Sequence, residues 1–498
     1  MKKLKNIVVG ILTGFAFAGC DHFLDIQPKG EVVNDKMFED ARGYMDAMYG
    51  IYASLASSDL YGKNLTWGFA DQLAHLCYNP HAEVFGEDLV LKIQSYDYAY
   101  PEVEKCINTI WSDAYRVISY INNVLENIEK ENLTKHPDLT LIKGEAYALR
   151  AFLHFDILRY FGTNIQDNPE AGGIPYAYSF DLKNKELFSL KACYRNILKD
   201  LDAAQFYLAN DTVNASTEYR GFRYNFLNLS AVHAIKARVF QAEGSQPDSA
   251  RFYAEKVIAS SLHRLISVPT ELSEVKKYPG GIEIIWGLST DKLYEPLYNQ
   301  FLRYSATYFN WLRPRVDYEG IYKDVSWTAD NHDYRWDHFF AMRSRENNEE
   351  GVGDSQKAPC FVRFLNVNAS DPKDVELQKA DTKGVCLIRL PEMYYIAAEA
   401  VYEKDPQKAL DYLNKVRKSR GLTIALDVAQ VNTVEKFRQA LQSERIKELW
   451  GEGQVFLDYK RTNASFMDYN NEHKIVMTPE IAVLPWPDDE KEFGYTNK

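Results

Sequence analysis

Aromatic side chains set beside amides and guanidinium groups are the residues of this chain whose types and spacing could do binding chemistry. Trp67 follows Asn64 by three positions and Tyr78 directly precedes Asn79. Tyr308, Trp311 and Arg313 fall close together, and Trp327 and Trp336 flank Asn331 and Arg335. A carbohydrate offers C–H faces that pack on aromatic rings and hydroxyls that need donors and acceptors, so such groupings fit a sugar-binding surface. Taken singly, each ring has a competing role in core packing, so the set rather than any member carries the expectation.

Other reactive groupings are less ordered. His75, Cys77, His81 and Glu83 lie close together, as do His332, Asp333, Asp337 and His338, yet neither spacing matches a standard metal-ligand pattern, and no metal or cofactor is expected. Glu444 and Glu448 share one helix face, with Arg445 and Lys447 nearby, a pattern that holds neighbouring helices in register. A catalytic carboxylate pair is the sharper alternative, but nothing places a substrate there, so no catalytic residue is assigned. G-x-S-x-G is absent, and the Gly451-x-Gly453 pair neither follows a strand nor continues to a third glycine. The rival to a binding protein is therefore a glycan-cleaving enzyme built on two carboxylates.

The chain has 498 residues, 46% hydrophobic and 26% charged, a globular composition that supplies a large core. Its formal charge of −12 repels phosphate backbones, so nucleic acid is not an expected partner. Aromatic residues make up 14%, including 34 tyrosines, which is high for so polar a chain. At the N-terminus Lys2, Lys3 and Lys5 precede an apolar run over 7–17 that ends in Phe17-Ala18-Gly19-Cys20. That run falls short of the roughly 20 residues a bilayer span needs and reads as a signal peptide, 1–19. Its end resembles the lipobox of bacterial lipoproteins, which makes Cys20 the acylated first residue of the mature chain; a plain secretory signal is the alternative. Loss of 1–19 removes three lysines and no acid, taking the formal charge to −15. Cys77, Cys106, Cys193, Cys360 and Cys386 remain, an odd number with no C-x-x-C, which indicates neither a disulfide framework nor a zinc ribbon.

The elements that must position these residues are mostly helical. At about 100° per residue, 145–161 puts Ala146, Leu149, Leu153, Ile157 and Tyr160 on one arc and Tyr147, Ala148, Ala151, Phe155 and Leu158 on the opposite one. Two dry faces place this helix inside a stack. Helical spacing also covers 37–55, 107–128, 193–208, 226–242 and 249–259, with Asp248 as the expected cap of the last. His136-Pro137-Asp138 breaks the pattern before the central helix. The period fades over 262–384, where Tyr, Trp, Pro, Gly, Asn and Asp concentrate around one apolar strand, 283–286. It resumes at 387–402; Asp405-Pro406 caps a helix that Gly421 stops, and 433–450 is the last long helix. The A-A-E-A and D-P-x-x-A-L-x-x-L-N runs resemble one tetratricopeptide-like hairpin. The expected fold is mainly α: a tetratricopeptide-like helical hairpin scaffold over 31–260 and 387–461, carrying a long irregular aromatic-rich insertion at about 262–385, all within one domain over 20–498.

Ordered motifs along the whole chain make it resemble the SusD/RagB family of outer-membrane nutrient-binding lipoproteins. They are Phe23-Leu24-Asp25 with Pro28 after Cys20; Trp111, Tyr115, Ile118 and Asn122; Glu145-Ala146-Tyr147 with Leu149-Arg150-Ala151-Phe152; and Tyr194, Ile197, Asp200-Leu201 and Ala204. Ala237-Arg238-Val239, Arg389-Leu390-Pro391-Glu392, Ala397-Ala398-Glu399-Ala400, Leu413-Asn414 and Val416-Arg417 follow. Glu444-Arg445, Glu448-Leu449, Glu452-Gly453, Asp458, Arg461, Pro485 and Glu490 complete them. Two places depart from the family pattern: the segment from Gly162 to Pro175 is stretched where the family has Gly-Asp-Val/Ile-Pro, and Val455 stands where the family's Glu-Gly-x-Arg has arginine. The resemblance implies a non-catalytic lipoprotein, held on the outer membrane by a lipid on Cys20, that captures an extracellular oligosaccharide for a SusC-like TonB-dependent transporter. Peptide capture, as in RagB-like members, is the alternative. It further implies that N-terminal loops and the insertion converge on one ligand site drawn from Asn64, Trp67, Tyr78, Tyr308, Trp311, Arg313, Trp327 and Trp336.

Overall fold

The computed structural model describes residues 34–81, 88–211, 223–268, 271–272, 281–302, 311–323, 326–344, 357–364 and 382–492. The signal peptide, Cys20, the 23–28 motif, Glu83 and Tyr308 lie outside them.

Helices dominate and stack in chain order. Ala41–Leu55 packs on Pro101–Ile128, which packs on the central helix Pro137–Phe161; Leu190–Tyr207, Leu229–Glu243 and Pro247–Ile258 follow. The next layer is Leu390–Val401, which packs on Pro247–Ile258 across a sequence gap of more than 130 residues, and Pro406–Ser419 closes the series. The stack therefore runs straight past the aromatic-rich segment, which leaves it after one hairpin and returns before the next.

The central helix has almost no solvent face: Leu139, Ala146, Leu149, Ala151, Phe155 and Leu158 are buried, and so are the polar Glu145, Arg150, His154 and Asp156. Each of these polar groups has a partner, as burial demands. Arg150 donates to both oxygens of Asp200 at 2.7 Å, Tyr52 donates to Glu145 at 3.0 Å, and Tyr61 donates to Asp156 at 2.6 Å. His154 accepts from Ala177 N at Nε2, 3.0 Å, so its Nδ1 carries the proton shared with Arg150 O at 2.8 Å. Burial pushes this imidazole down to about 3, so it is neutral in that role.

Several boundaries differ from the sequence expectation, and proline explains most of them. Pro137 and Pro101 stand in the first turn of their helices, where a missing N–H costs nothing, so both helices begin earlier than the periodicity suggests. Pro247 likewise opens its helix, leaving Gln246 as N-cap; Asp248 sits in the first turn and pairs with Lys404 at 2.6 Å instead of capping. The first scaffold helix is divided, Asn34–Met37 and Ala41–Leu55, because Asp40 turns to accept from Gly43 N. Residues 387–389 are strand rather than helix. Asp405 and Thr433 do cap, accepting from Lys408 N and Lys436 N at 3.0 and 3.2 Å.

The 283–286 strand extends over Ile284–Ser289 and pairs antiparallel with Gly384–Arg389, Ile284 opposite Arg389 and Ser289 opposite Gly384. These two strands bracket the inserted segment. A buried ionic network locks the bracket to the C-terminal helices. Glu448 accepts from Arg389 at 2.6 Å, Arg335 at 3.1 Å, and Arg420 at 2.7 and 3.0 Å, while Glu283 accepts from Arg420 at 2.7 and 2.9 Å. Glu444 takes Arg335 at 2.8 Å and Arg417 at 2.6 Å, and Glu452 takes Arg389 at 2.6 Å and Arg363. Burial would raise the Glu444 and Glu448 carboxyls, but the surrounding arginines outweigh it and hold both below the ordinary range. Neither acid is open to a substrate; both serve as register pins.

The chain closes on the central helix. Lys460 donates to the carbonyls of Arg159 and Gly162 at 2.6 and 2.7 Å, Leu484 N to Tyr160 O at 3.0 Å, and Trp486 Nε1 to Phe161 O at 3.3 Å, so the helix's last carbonyls are satisfied by the C-terminal region. Among the described residues no helix is long and apolar enough to cross a membrane.

Candidate functional site

Three segments far apart in sequence meet at a ledge of aromatic rings. Cys77–Tyr78 pairs antiparallel with Arg313–Pro314, which sets Tyr78 opposite Arg313. The turn that follows Phe466–Met467 folds over this pair, Val316 N donating to Tyr469 O at 2.9 Å. It lays the Tyr469 ring parallel to Tyr78, with centroids 5.2 Å apart and planes at 10°, and to His75 at 5.9 Å and 17°. Tyr78, Tyr469 and Arg313 are all half-buried.

The support beneath is fixed by hydrogen bonds. His75 has a left-handed φ of 55°, a cost an L-residue bears only where its surroundings hold it. Its Nδ1 accepts from Tyr469 N at 3.3 Å, so Nε2 carries the proton and donates to Gln94 O at 3.0 Å. Burial pushes this imidazole down to about 4, which keeps it in that neutral form. Gln94 Nε2 donates to Cys77 O at 2.6 Å, and Asn79 joins Asp88 at 2.6 Å and the His81 amide at 2.9 Å.

The ledge continues into the inserted segment. Tyr318, in the short helix Tyr318–Tyr322, stacks on Trp336 at 5.0 Å and 25°. Lys323 Nζ lies 3.9 Å from the Trp336 centroid and 5.8 Å from that of Trp327, close enough for attraction by both ring faces. Trp327 in turn packs on His332 at 4.1 Å. Burial, and then the neighbouring Glu319, raises the Tyr318 hydroxyl. Trp327, Trp336 and Lys323 are half-buried, so each keeps an accessible part.

Two expected stacking rings are not on the surface. Trp67 is 1% exposed and packs edge-on to Phe301 at 5.7 Å; Trp311 is 0% exposed, with Arg313 over its face at 4.7 Å. Both have polar neighbours in sequence, but in the folded chain they are core rings. A fully buried ring has no face left for a ligand. Asn64 is half-buried, with its Nδ2 within 3.4 Å of Asp59 O, on the loop that carries Trp67. Tyr469, Tyr318 and Lys323 were not singled out from sequence; the Asp468-Tyr469-Asn470-Asn471 run is a turn signal that marks the first of them.

The His/Asp groupings have structural partners. Both His75 nitrogens are engaged, Asp333 receives Arg335 at 2.7 and 2.8 Å, and His332 pairs with Asp337. Among the described residues no group of three or more His, Cys, Asp or Glu side chains could hold a metal. A ledge of this kind can do three things chemically: stack on a flat apolar face, donate from Arg313 and Lys323, and exchange hydrogen bonds through tyrosine hydroxyls.

Comparison with known proteins is consistent along the chain. A family model described as "SusD family" matches residues 297–478, and one described as "Starch-binding associating with outer membrane" matches 23–240. SusD-like protein P38 of Formosa agariphila is 23% identical over 93% of this chain and 92% of its own length, and SusD-like protein P25 of the same organism is 22% identical over 90% and 88%. Among solved structures, a SusD superfamily protein from Bacteroides thetaiotaomicron superposes with a TM-score of 0.67 at 23% identity, covering 91% of this chain and 97% of that one. A SusD-like carbohydrate binding protein from Bacteroides vulgatus gives 0.68 at 18% identity, over 90% and 95%. Surface glycan-binding protein A from Bacteroides thetaiotaomicron gives 0.68 at 16%, over 93% and 99%.

Proposed function

The chain belongs to the SusD/RagB family, and from that premise we propose that it is a non-catalytic surface receptor that captures an extracellular oligosaccharide or polysaccharide. The observation that carries this reading is the ledge: parallel tyrosines 78 and 469 beside Arg313, continued by Trp336, Trp327 and Lys323. Ring faces bind the C–H side of a pyranose, and the flanking cations donate to its hydroxyls. Asn64 and Tyr308 are proposed as further contacts, while the buried Trp67 and Trp311 serve packing. Structural neighbours described as carbohydrate-binding and surface glycan-binding proteins support the same ligand class.

In this reading residues 1–19 are removed and Cys20 carries the lipid that holds the protein on the outer membrane, facing outward. The rest, 20–498, works as one unit, with the segment around 262–385 on the ligand side and the helical stack behind it. Cargo passes to a SusC-like TonB-dependent transporter, over which this protein sits as a lid.

Calorimetry of the protein starting at residue 21, titrated with plant, host and microbial polysaccharides and with basic peptides, tests the ligand class. Saturable binding to one glycan, recovered afterwards at unchanged length, supports the receptor. Shortened product would make the protein an enzyme, and binding to peptides alone would replace the ligand class.

A further inference from the structure

Away from the ledge, the C-terminal end of the central helix, Leu229–Glu243 and Val455–Thr462 enclose a cavity of about 50 Å³ that communicates with solvent. Its wall is basic, and the charges on it are unevenly matched. Arg461 is fully engaged, donating to Glu399 at 2.7 and 3.0 Å and to Asp458 at 2.7 Å. Arg445 has only what remains of Asp458, an ion pair at 3.0 Å. That pair engages its Nε; its buried Nη1 has no hydrogen-bond acceptor, although the residue is only 5% exposed. Arg159, at the helix end, pairs with Asp156 and donates to Gln454 at 3.0 Å, yet its buried Nε is also without an acceptor. Lys460 brings no acid with it, since its ammonium is spent on backbone carbonyls.

A buried guanidinium N–H left without an acceptor is unfavourable, and here two arginines lining one cavity both leave donors unmet. Planar guanidinium donors are matched by a group that presents two oxygens, and the charge of such a group would be drawn to a wall where one acid is shared by two arginines. We propose that this cavity is an oxyanion site, taking a carboxylate, phosphate or sulphate group between Arg445 and Arg159. The bound anion then joins the end of the central helix to the helix Val434–Leu449, on which Arg445 sits, at a position separate from the aromatic ledge.

The test uses the full-length, detergent-solubilised protein with sodium phosphate, sulphate or acetate against chloride at matched ionic strength, read by calorimetry and thermal unfolding. One of the three is expected to bind saturably in the submillimolar range and raise the unfolding temperature, phosphate or sulphate marking a tetrahedral ligand and acetate a carboxylate. Arg445→Lys, which keeps the charge and loses the fork, should weaken that binding at least tenfold, and so should Arg159→Gln. If the Arg445 variant fails to fold, Arg159→Gln carries the comparison, its side chain being 13% exposed on the cavity wall. No saturable effect of any oxyanion beyond chloride, or unchanged affinity in the variants, overturns the proposal.

Discussion

A ring stacks on a sugar only if its tilt is held, and that of Tyr469 is held. Its amide is tied to His75 and its carbonyl to Val316, while the ring stays half-buried beside Tyr78. Tyr469→Ala should therefore weaken glycan binding by roughly tenfold, about 1–1.5 kcal/mol of stacking, with the unfolding temperature nearly unchanged. Trp67→Ala should do the opposite, because a buried ring packed on Phe301 contributes to the core: the fold should lose about 3–5 kcal/mol by denaturant titration. A Tyr469 variant that binds like the parent would remove that ring from the site. The contrast also explains how far the site was legible. Tyr78, Arg313, Trp327 and Trp336 stand out in sequence as aromatic or cationic residues among polar ones, but so do Trp67 and Trp311, and local spacing carries no information on which ring ends up under another. Tyr78 meets Tyr469 through a contact spanning 391 positions, which no local pattern encodes.

At the scale of elements, periodicity was a reliable guide wherever a helix is packed on defined sides. The two dry arcs of 145–161 correspond to a helix buried on every side, and Asp405-Pro406 starts its helix as read. Proline departs from the periodicity where it opens a helix as a first-turn residue rather than breaking one, at Pro137, and where it displaces a neighbouring cap, at Pro247. The Glu452-Gly453 motif shows the other kind of constraint, one that only the assembled elements reveal. Gly453 has φ +68°, and a Cβ there would lie 2.1 Å from Leu65 O. Its amide and that of Gly451 donate to the buried Asp71 at 3.2 and 2.6 Å, docking this turn on the helix Phe69–Leu73 under the ledge. Gly453→Ala should cost about 2–4 kcal/mol, combining left-handed strain with the steric clash. Urea unfolding would register this as a lower midpoint at unchanged slope, and an unshifted midpoint would show that the turn relaxes freely.

For the whole molecule, the ionic network ties Arg335 of the inserted segment and Arg389 of the strand bracket to the C-terminal helices, and it gives the protein a specific response to acid. Glu444 and Glu448 titrate below their ordinary value of 4.5 in the folded state because arginines from the strand bracket, the inserted segment and the helix Pro406–Ser419 surround them. Asp458, set between Arg445 and Arg461, is held below its ordinary value too, against the effect of burial. As pH falls through the unfolded values near 4, the unfolded chain takes up protons that the folded chain refuses, so this contribution is complete above about pH 4.5 and drains away below it. Asp71 works in the opposite sense: burial pushes it up to about 8, so its folded form keeps a proton that the unfolded chain gives up near 3.8, and its contribution declines between those values. Stability should thus fall steeply below pH 4.5 and only gently towards pH 8. Glu448→Gln leaves Arg389, Arg335 and Arg420 without their common acid, so it should cost about 3–5 kcal/mol at pH 7 and flatten the acid limb. Denaturant midpoints measured from pH 3 to pH 8 on both proteins decide the matter. Parallel acid limbs would mean that the network, although buried, is not what couples the two halves of the chain to protons.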